Sequence, residues 1–275
     1  MTNSETERPD FNDGYRQGDI IRIERTASGQ PSLGVIINAD CDLENKKIDG
    51  VIAYLPIFKF SEYFEEFYLE GYFDETVKSI STRLSQELEL KEKDLPDLLR
   101  WISADDADAI VTKICSERNT SEKNRAALKK SVAQVKHCLD LLSDRMKKFT
   151  LLCTLENEPL SYAKKHISAA RKAMGEGHFF VSEIVGEEDI GFVVRMRRIY
   201  TIEAQNCYRS VAGQISGSDG SEQTAVRTAR LTPLYAFKVA QLFAQQYSRV
   251  GLPNEIMELG SLAIDDLVTR ISEGL

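Results

Sequence analysis

From Gln17 to Ile57 the apolar residues come in short β-branched runs parted by turn chemistry; from about Glu75 to Thr154 they recur every three or four positions; from about Gly177 the β-branched runs return. A period near two specifies half-buried strands and a period near 3.6 specifies amphipathic helices. A chain with this order folds as a sheet whose strands are separated in sequence by a helical block, an α+β class. The expected architecture is a small antiparallel barrel interrupted by a helical insertion and closed by C-terminal helices. The boundaries that follow are a flexible leader over 1–16, barrel strands over 17–74, the helical insertion over 75–154, and returning strands with the C-terminal helices over 155–275.

Local signals support each part. Gly18 and Asp19 open the "GDIIRIE" strand, "TASGQPS" is a turn, and Asp49-Gly50 marks a tight turn before "VIAYLPI". In the middle, Leu128, Val132, Val135, Leu139, Leu142 and Met146 fall on one stripe of a single amphipathic helix, and Ser103 with its following acids reads as a helix start. "HFFVSEIVG" and "IGFVVRMRRIYTI" read as a hairpin, "GQISGSDGSEQ" as a flexible loop, and "TPLYAFKVAQLFAQQYSRVGLP" as a helix capped by Thr232 with Pro233 in its first turn. "NEIMELGSLAIDDLVTRISEGL" reads as a short closing helix.

Composition removes several classes. At 275 residues and 42% hydrophobic the chain can bury a sizeable core, and no run approaches the roughly 18 apolar residues of a membrane span. The expected location is cytoplasmic, without membrane association. Cys41, Cys115, Cys138, Cys153 and Cys207 form no paired spacing, and with His137, His166 and His178 as the only histidines neither a disulfide framework nor a metal site is expected. No cofactor is expected. A formal charge of −8 and a pI near 5.2 repel phosphate backbones, so a nucleic-acid contact needs a local basic patch. Arg195, Arg197 and Arg198 in "RMRRIY" are that patch; strand alternation places Arg195 and Arg197 on one face and Met196 and Arg198 on the other.

Catalytic signatures of the GxxxxGK[ST], HExxH, GxSxG and GxGxxG types are absent. The catalytic residues are unassigned, and three weaker constellations remain. The strand "GVIIN" runs into Asp40, Cys41 and Asp42, which either shape a turn or, with Asn38, present ligands along one strand face. Flanking carboxylates disfavour a Cys41 thiolate. The turn reading has Cys41 packed inward and Asp40 and Asp42 accepting backbone N–H groups. Arg171 and His178 in "RKAMGEGH" match a loose Arg…His spacing, but Gly175 and Gly177 break the helix and leave His178 in a surface loop. Leu242, Phe243 and Tyr247 at helical spacing are core, with Arg249 suiting the helix end.

"QGDIIRIE…GVIINADCDL" resembles a group of poorly characterised bacterial proteins that open on a GDI strand and carry a VIS-Q-x-CDL-like strand end. Thr232 to Tyr235 and "FAQQYSRVGLP", Phe243 to Pro253, resemble their RVGLP-like closing helix. The front part is also similar to the SH3-like barrel of the PemK and MazF toxins, although the arginine before the second strand and the Ser or Thr at its end are replaced here by Pro31-Ser32-Leu33 and Asn38. The resemblance implies an SH3-like barrel and a non-catalytic recognition or interaction subunit of a bacterial conflict system of the phage-defence type, with a protein partner or a second copy. A MazF-like endoribonuclease is the alternative, and a hydrolase built on Asp40, Cys41 and Asp42 the third. Trp101, the chain's one tryptophan, makes the helical lobe the candidate partner surface, although core packing is the first reading of that side chain.

Overall fold

The computed structural model describes residues 4–10, 12–24, 31–118, 122–218, 220, 223–247, 262, 266 and 268. The turn residues Thr26 to Gln30, the segment Arg249 to Pro253, and the closing helix apart from Leu262, Asp266 and Val268 lie outside the described residues.

In chain order the elements are β1 (Thr6–Glu7), β2 (Asp19–Glu24), β3 (Leu33–Ile36), α1 (Asp40–Glu44) and β4 (Val51–Lys59). Then come α2 (Phe60–Tyr63), a π-helical turn, α3 (Leu69–Glu87), α4 (Leu95–Ala104), α5 (Ala107–Arg118), α6 (Glu122–Leu139), α7 (Arg145–Thr154) and α8 (Pro159–Lys172). The strands return with β5 (His178–Val181), β6 (Phe192–Arg195), β7 (Tyr200–Glu203) and β8 (Cys207–Tyr208), followed by α9 (Val211–Gly217), β9 (Thr224–Leu231) and α10 (Pro233–Tyr247). The result is mixed helix and strand with an antiparallel half-barrel sheet. The chain divides into two compact units, Met1–Ile57 with Glu176–Leu275, and Phe58–Gly175.

In the β unit the strand order is β1-β9-β2-β3-β4-β6-β5, with β7 also on β4 and β8 parallel to β9. β2 explains why its sequence is almost continuously apolar. Ile20 enters a core with Val35, Phe192 and Val239 of α10, while Ile21 enters a second core with Ile36, Ile52 and Ile202. Successive residues of a strand face opposite sides, so a strand between two cores needs both. The tight turn before β4 is present: Asp49 (φ 47°) and Gly50 (φ 78°) are both left-handed and Val51 N–H bonds Ile48 C=O at 2.9 Å.

The segment read as a loose leader is built into the sheet. Thr6 and Glu7 pair with Leu231 and Arg230 of β9. β1 and β5 stand at the two ends of the sheet, and side chains bridge them: the Glu5 carboxylate accepts the Ser182 N–H and hydroxyl, and Thr6 Oγ1 accepts the Val185 N–H at 3.0 Å. Polar terminal residues hid a role that depends on hydrogen bonding and not on hydrophobic pattern.

Strand β9 was not expected at all, because its apolar positions are interrupted by Arg227 and Arg230. A bulge accounts for both arginines. Ile20 faces Ala229 while Ile21 faces Arg227, which leaves Thr228 as the extra residue. That extra residue puts side chains three apart on the same side, and both guanidinium groups reach Asp19. Arg230 Nε donates to Asp19 Oδ1 at 2.5 Å and Arg227 Nη1 to Oδ2 at 3.3 Å. The side chains of Asp19 and Arg227 have no solvent exposure. Arg227 also binds the carbonyls of Asp10 and Gly14, and Arg230 binds Asp13 at 3.1 Å, so the same pair straps the N-terminal segment down.

The ring of Tyr54 lies across Gly34 and stacks on Tyr200, centroids 5.7 Å apart. A methyl group at Gly34 would collide with that ring, so Gly34→Ala is expected to cost about 1–3 kcal/mol through overpacking. Chemical denaturation checks this, and Gly34→Ala with Tyr54→Leu should recover part of the loss.

In the helical unit one core joins α3, α4, α5 and α6 through Leu84, Ile102, Ile110, Val132 and Val135, and a second gathers Phe64, Leu69, Phe149 and Leu152. Helix begins at Phe60, not near Glu75, because the aromatics of "FKFSEYFEEFY" pack on a helical face. The single helix expected from Ala126 to Phe149 is two. Asp140 Oδ1 takes the Leu142 N–H and Asp144 caps α7 through the Lys147 N–H, which leaves Leu142 98% exposed and outside the stripe. Ser103 lies inside α4; the α5 cap is Asp106, which accepts the N–H groups of Asp108 and Ala109. The supposed loop after Tyr208 contains α9, capped by Ser210. Thr232 does not cap α10 with its side chain; its hydroxyl bonds the Ser4 and Glu5 carbonyls.

Candidate binding groove

The residues around Cys41 do not form a strand face. β3 ends at Ile36, and Asp40, Cys41 and Asp42 are the first turn of α1. The alternation that would have aligned Asn38, Asp40 and Asp42 as ligands is therefore absent, and Cys41 is exposed, not packed inward. The turn-holding groups are Asn38 and Asp40: Asn38 Oδ1 accepts the Ala53 N–H and Asp40 Oδ1 the Gln17 N–H, both at 2.7 Å. Asp42 instead accepts the Cys41 thiol at 3.6 Å. Burial raises the other thiols that shift, with Cys138 and Cys207 both pushed up to about 12, well away from nucleophilic thiolates. Among the described residues no group of three His, Cys, Asp or Glu side chains is placed to hold a metal ion. No described helix is long and apolar enough to cross a membrane.

The basic run is not a uniform strand face. β6 stops at Arg195, Met196 is fully buried, and Arg197 and Arg198 are exposed on a turn, so Met196 and Arg198 do not share a side. Arg195 is the register partner of His178. Arg197 donates to Gln246 at 3.4 Å, and the Arg198 guanidinium stands 4.9 Å over the Tyr200 ring. His178 lies in β5 and is half-buried, not in a surface loop, whereas Arg171 lies on α8 in the other unit.

Burial first, then Arg195 and Arg197, lower the His178 pKa to about 4 from 6.5. The unfolded chain therefore takes up the proton first, so this contribution to stability is complete above pH 6.5 and is lost as pH falls towards 4. After allowing for partial exposure the loss is about 2 kcal/mol. Melting curves across that range should show it, and His178→Gln should flatten it.

A concavity of the helical unit lies where α3 hands over to α4. The end of α3 is closed by a pair of backbone bonds, Leu90 N–H to Ser85 C=O at 2.8 Å and Glu89 N–H to Gln86 C=O at 3.1 Å. This motif requires a left-handed residue, usually glycine, but here Glu89 takes it at φ 51°. The turn directs Leu90 into a cavity of about 450 Å³ whose apolar floor is Leu88, Leu98, Trp101 and Ile114. Trp101 is fixed at its edge and its face: Nε1–H donates to Asp105 at 2.7 Å and Lys113 Nζ sits 5.2 Å from the ring centroid. Asp94 and Asp97 stand at the rim.

A second cavity, about 650 Å³, is also lined by Leu88 and Ile114, and the two adjacent cavities are termed the groove. Its walls are polar, with Arg83 donating to Ser131 at 2.5 Å and Lys130 paired with Glu156 at 2.6 Å. Trp101 was the one element of this groove visible in the sequence. Leu90 escaped notice because the signal for a helix end, a glycine, is replaced by Glu89. Comparison with protein-family models, curated proteins and solved structures returns no match.

Proposed function

We propose that this protein is a non-catalytic recognition subunit and that the helical groove is its partner-binding surface. The observation that carries the reading is the Trp101 groove: an open cavity of ligand-binding size in which Leu88, Leu98, Ile114 and a Trp101 ring held by Asp105 are flanked by charged side chains. The finer architecture belongs to the same proposal, an SH3-like barrel into which the helices are inserted between Ile57 and Glu176. The two sequence-separated segments of the β unit support it, and the similarity to the PemK and MazF barrel and to the RVGLP-ending bacterial proteins supports a role in a phage-defence type of conflict system.

The test uses Leu90, which is 36% exposed. Tagged wild-type protein should recover a stoichiometric partner, or a second copy, that Leu90→Asp loses while its circular dichroism is unchanged. Retention by Leu90→Asp would remove the groove from the account. A second reading, endoribonuclease, is favoured by the placement of Arg195 and Arg197 beside His178 with Arg198 over Tyr200. Labelled RNA incubated with the purified protein, with and without Mg²⁺ or Mn²⁺, distinguishes them; specific cleavage lost on Arg195→Ala supports the ribonuclease. The hydrolase reading has less support, because Asp40 is engaged in holding the Gln17 N–H and Asn38, Asp40 and Asp42 do not line one strand face.

A further inference from the structure

We infer that the occupant of the groove is a basic amphipathic helix, whose apolar side chains fill the floor beside Trp101 and whose lysines or arginines meet Asp94 and Asp97. The inference rests on the groove being the partner surface and adds the chemistry of the partner. Leu88, Leu90, Leu98, Trp101 and Ile114 offer an apolar strip between helices, the form of site into which an amphipathic helix lays one face.

The charges beside that strip select the partner's polar residues. Of the cations lining the two cavities, Lys130 is paired with Glu156, Arg83 donates to Ser131, and Lys113, over Trp101, keeps its charge at the apolar end. Asp97 pairs with Arg100 at 3.3 Å, but both side chains are more than three-quarters exposed, so the pair is screened and easily exchanged. Among the described residues Asp94 accepts a long backbone bond, 3.3 Å from the Lys91 N–H. Asp94 and Asp97 outnumber Lys113 among the charged side chains lining the apolar end, which favours a cationic helix over an acidic one. Glu89, in a left-handed conformation that side chains seldom adopt, turns the chain so that Leu90 lines the cavity.

Trp101 makes the test direct, because it is the sole tryptophan of the chain and its emission reports this groove alone. The full-length protein is titrated with a synthetic amphipathic leucine–lysine helix and with a leucine–glutamate helix of the same periodicity, at physiological salt. The expected result is a saturable shift of Trp101 emission by the lysine peptide, with affinity at least about tenfold weaker for the glutamate peptide and about tenfold weaker for Asp94→Asn/Asp97→Asn. Equal binding of both peptides, or lysine-peptide binding unchanged in Asp94→Asn/Asp97→Asn, overturns the basic-helix assignment and leaves the groove as a partner surface. Absence of any shift with either peptide also overturns the assignment; the Leu90→Asp recovery experiment then decides separately whether the groove reading falls with it.

Discussion

Asp19→Ala is expected to cost about 3–5 kcal/mol and to lower the melting temperature more than any other single substitution in the β unit. The carboxylate has no exposure and stands between Arg230 and Arg227, so removing it leaves Arg227 without a charge partner inside the sheet and Arg230 with the half-exposed Asp13 alone. Their remaining bonds to the Asp10 and Gly14 carbonyls and to Asp13 are too few to offset that. Asp13→Ala provides the contrast: its side chain is 39% exposed, and the expected cost is below about 1 kcal/mol. Denaturant midpoints of the two variants measured together should differ widely. Equal, small effects would mean that the arginines find other partners and that the bulge at Thr228 has no part in positioning them.

Ile102→Ala should destabilise the helical unit by about 2–5 kcal/mol, since Ile102 is fully buried among α3, α4, α5 and α6 and its loss leaves a cavity. Hydrogen exchange should accelerate in amides of α3 to α6. Leu142→Ala, at a position that helical periodicity places on the same stripe as Val132 and Val135, should change stability by less than about 0.5 kcal/mol because that side chain is in solvent. A large effect at Leu142 would show that α6 and α7 form one continuous helix after all.

These substitutions mark where sequence pattern carries structural information and where it does not. β2, β3, β4 and the β5–β6 hairpin are legible because Ile, Val and Phe dominate them, and α10 because Pro233 begins it. β9 is hidden: Arg227 and Arg230 read as solvent residues, and only a bulge and a buried Asp19 three-dimensionally adjacent to them make them interior. α1 is hidden for a related reason, as five residues soon after a buried strand carry no period of their own. Two short polar side chains, at Asp140 and Asp144, break what seven turns of pattern join. Of the groove, Trp101 stands out by composition, while Leu88, Leu90, Leu98 and Ile114 look like ordinary helix residues until the left-handed turn at Glu89 and the packing of four helices leave them facing a cavity.

The claim that the helical groove is where this protein meets its partner is tested most directly by photo-crosslinking in cells. A benzophenone side chain is placed in turn at Leu90, in the groove, and at Leu141 and Ile190, two highly exposed apolar positions outside it. The account predicts one discrete protein adduct at Leu90 and none at the other two. Adducts from Leu141 or Ile190 with none from Leu90 would contradict it.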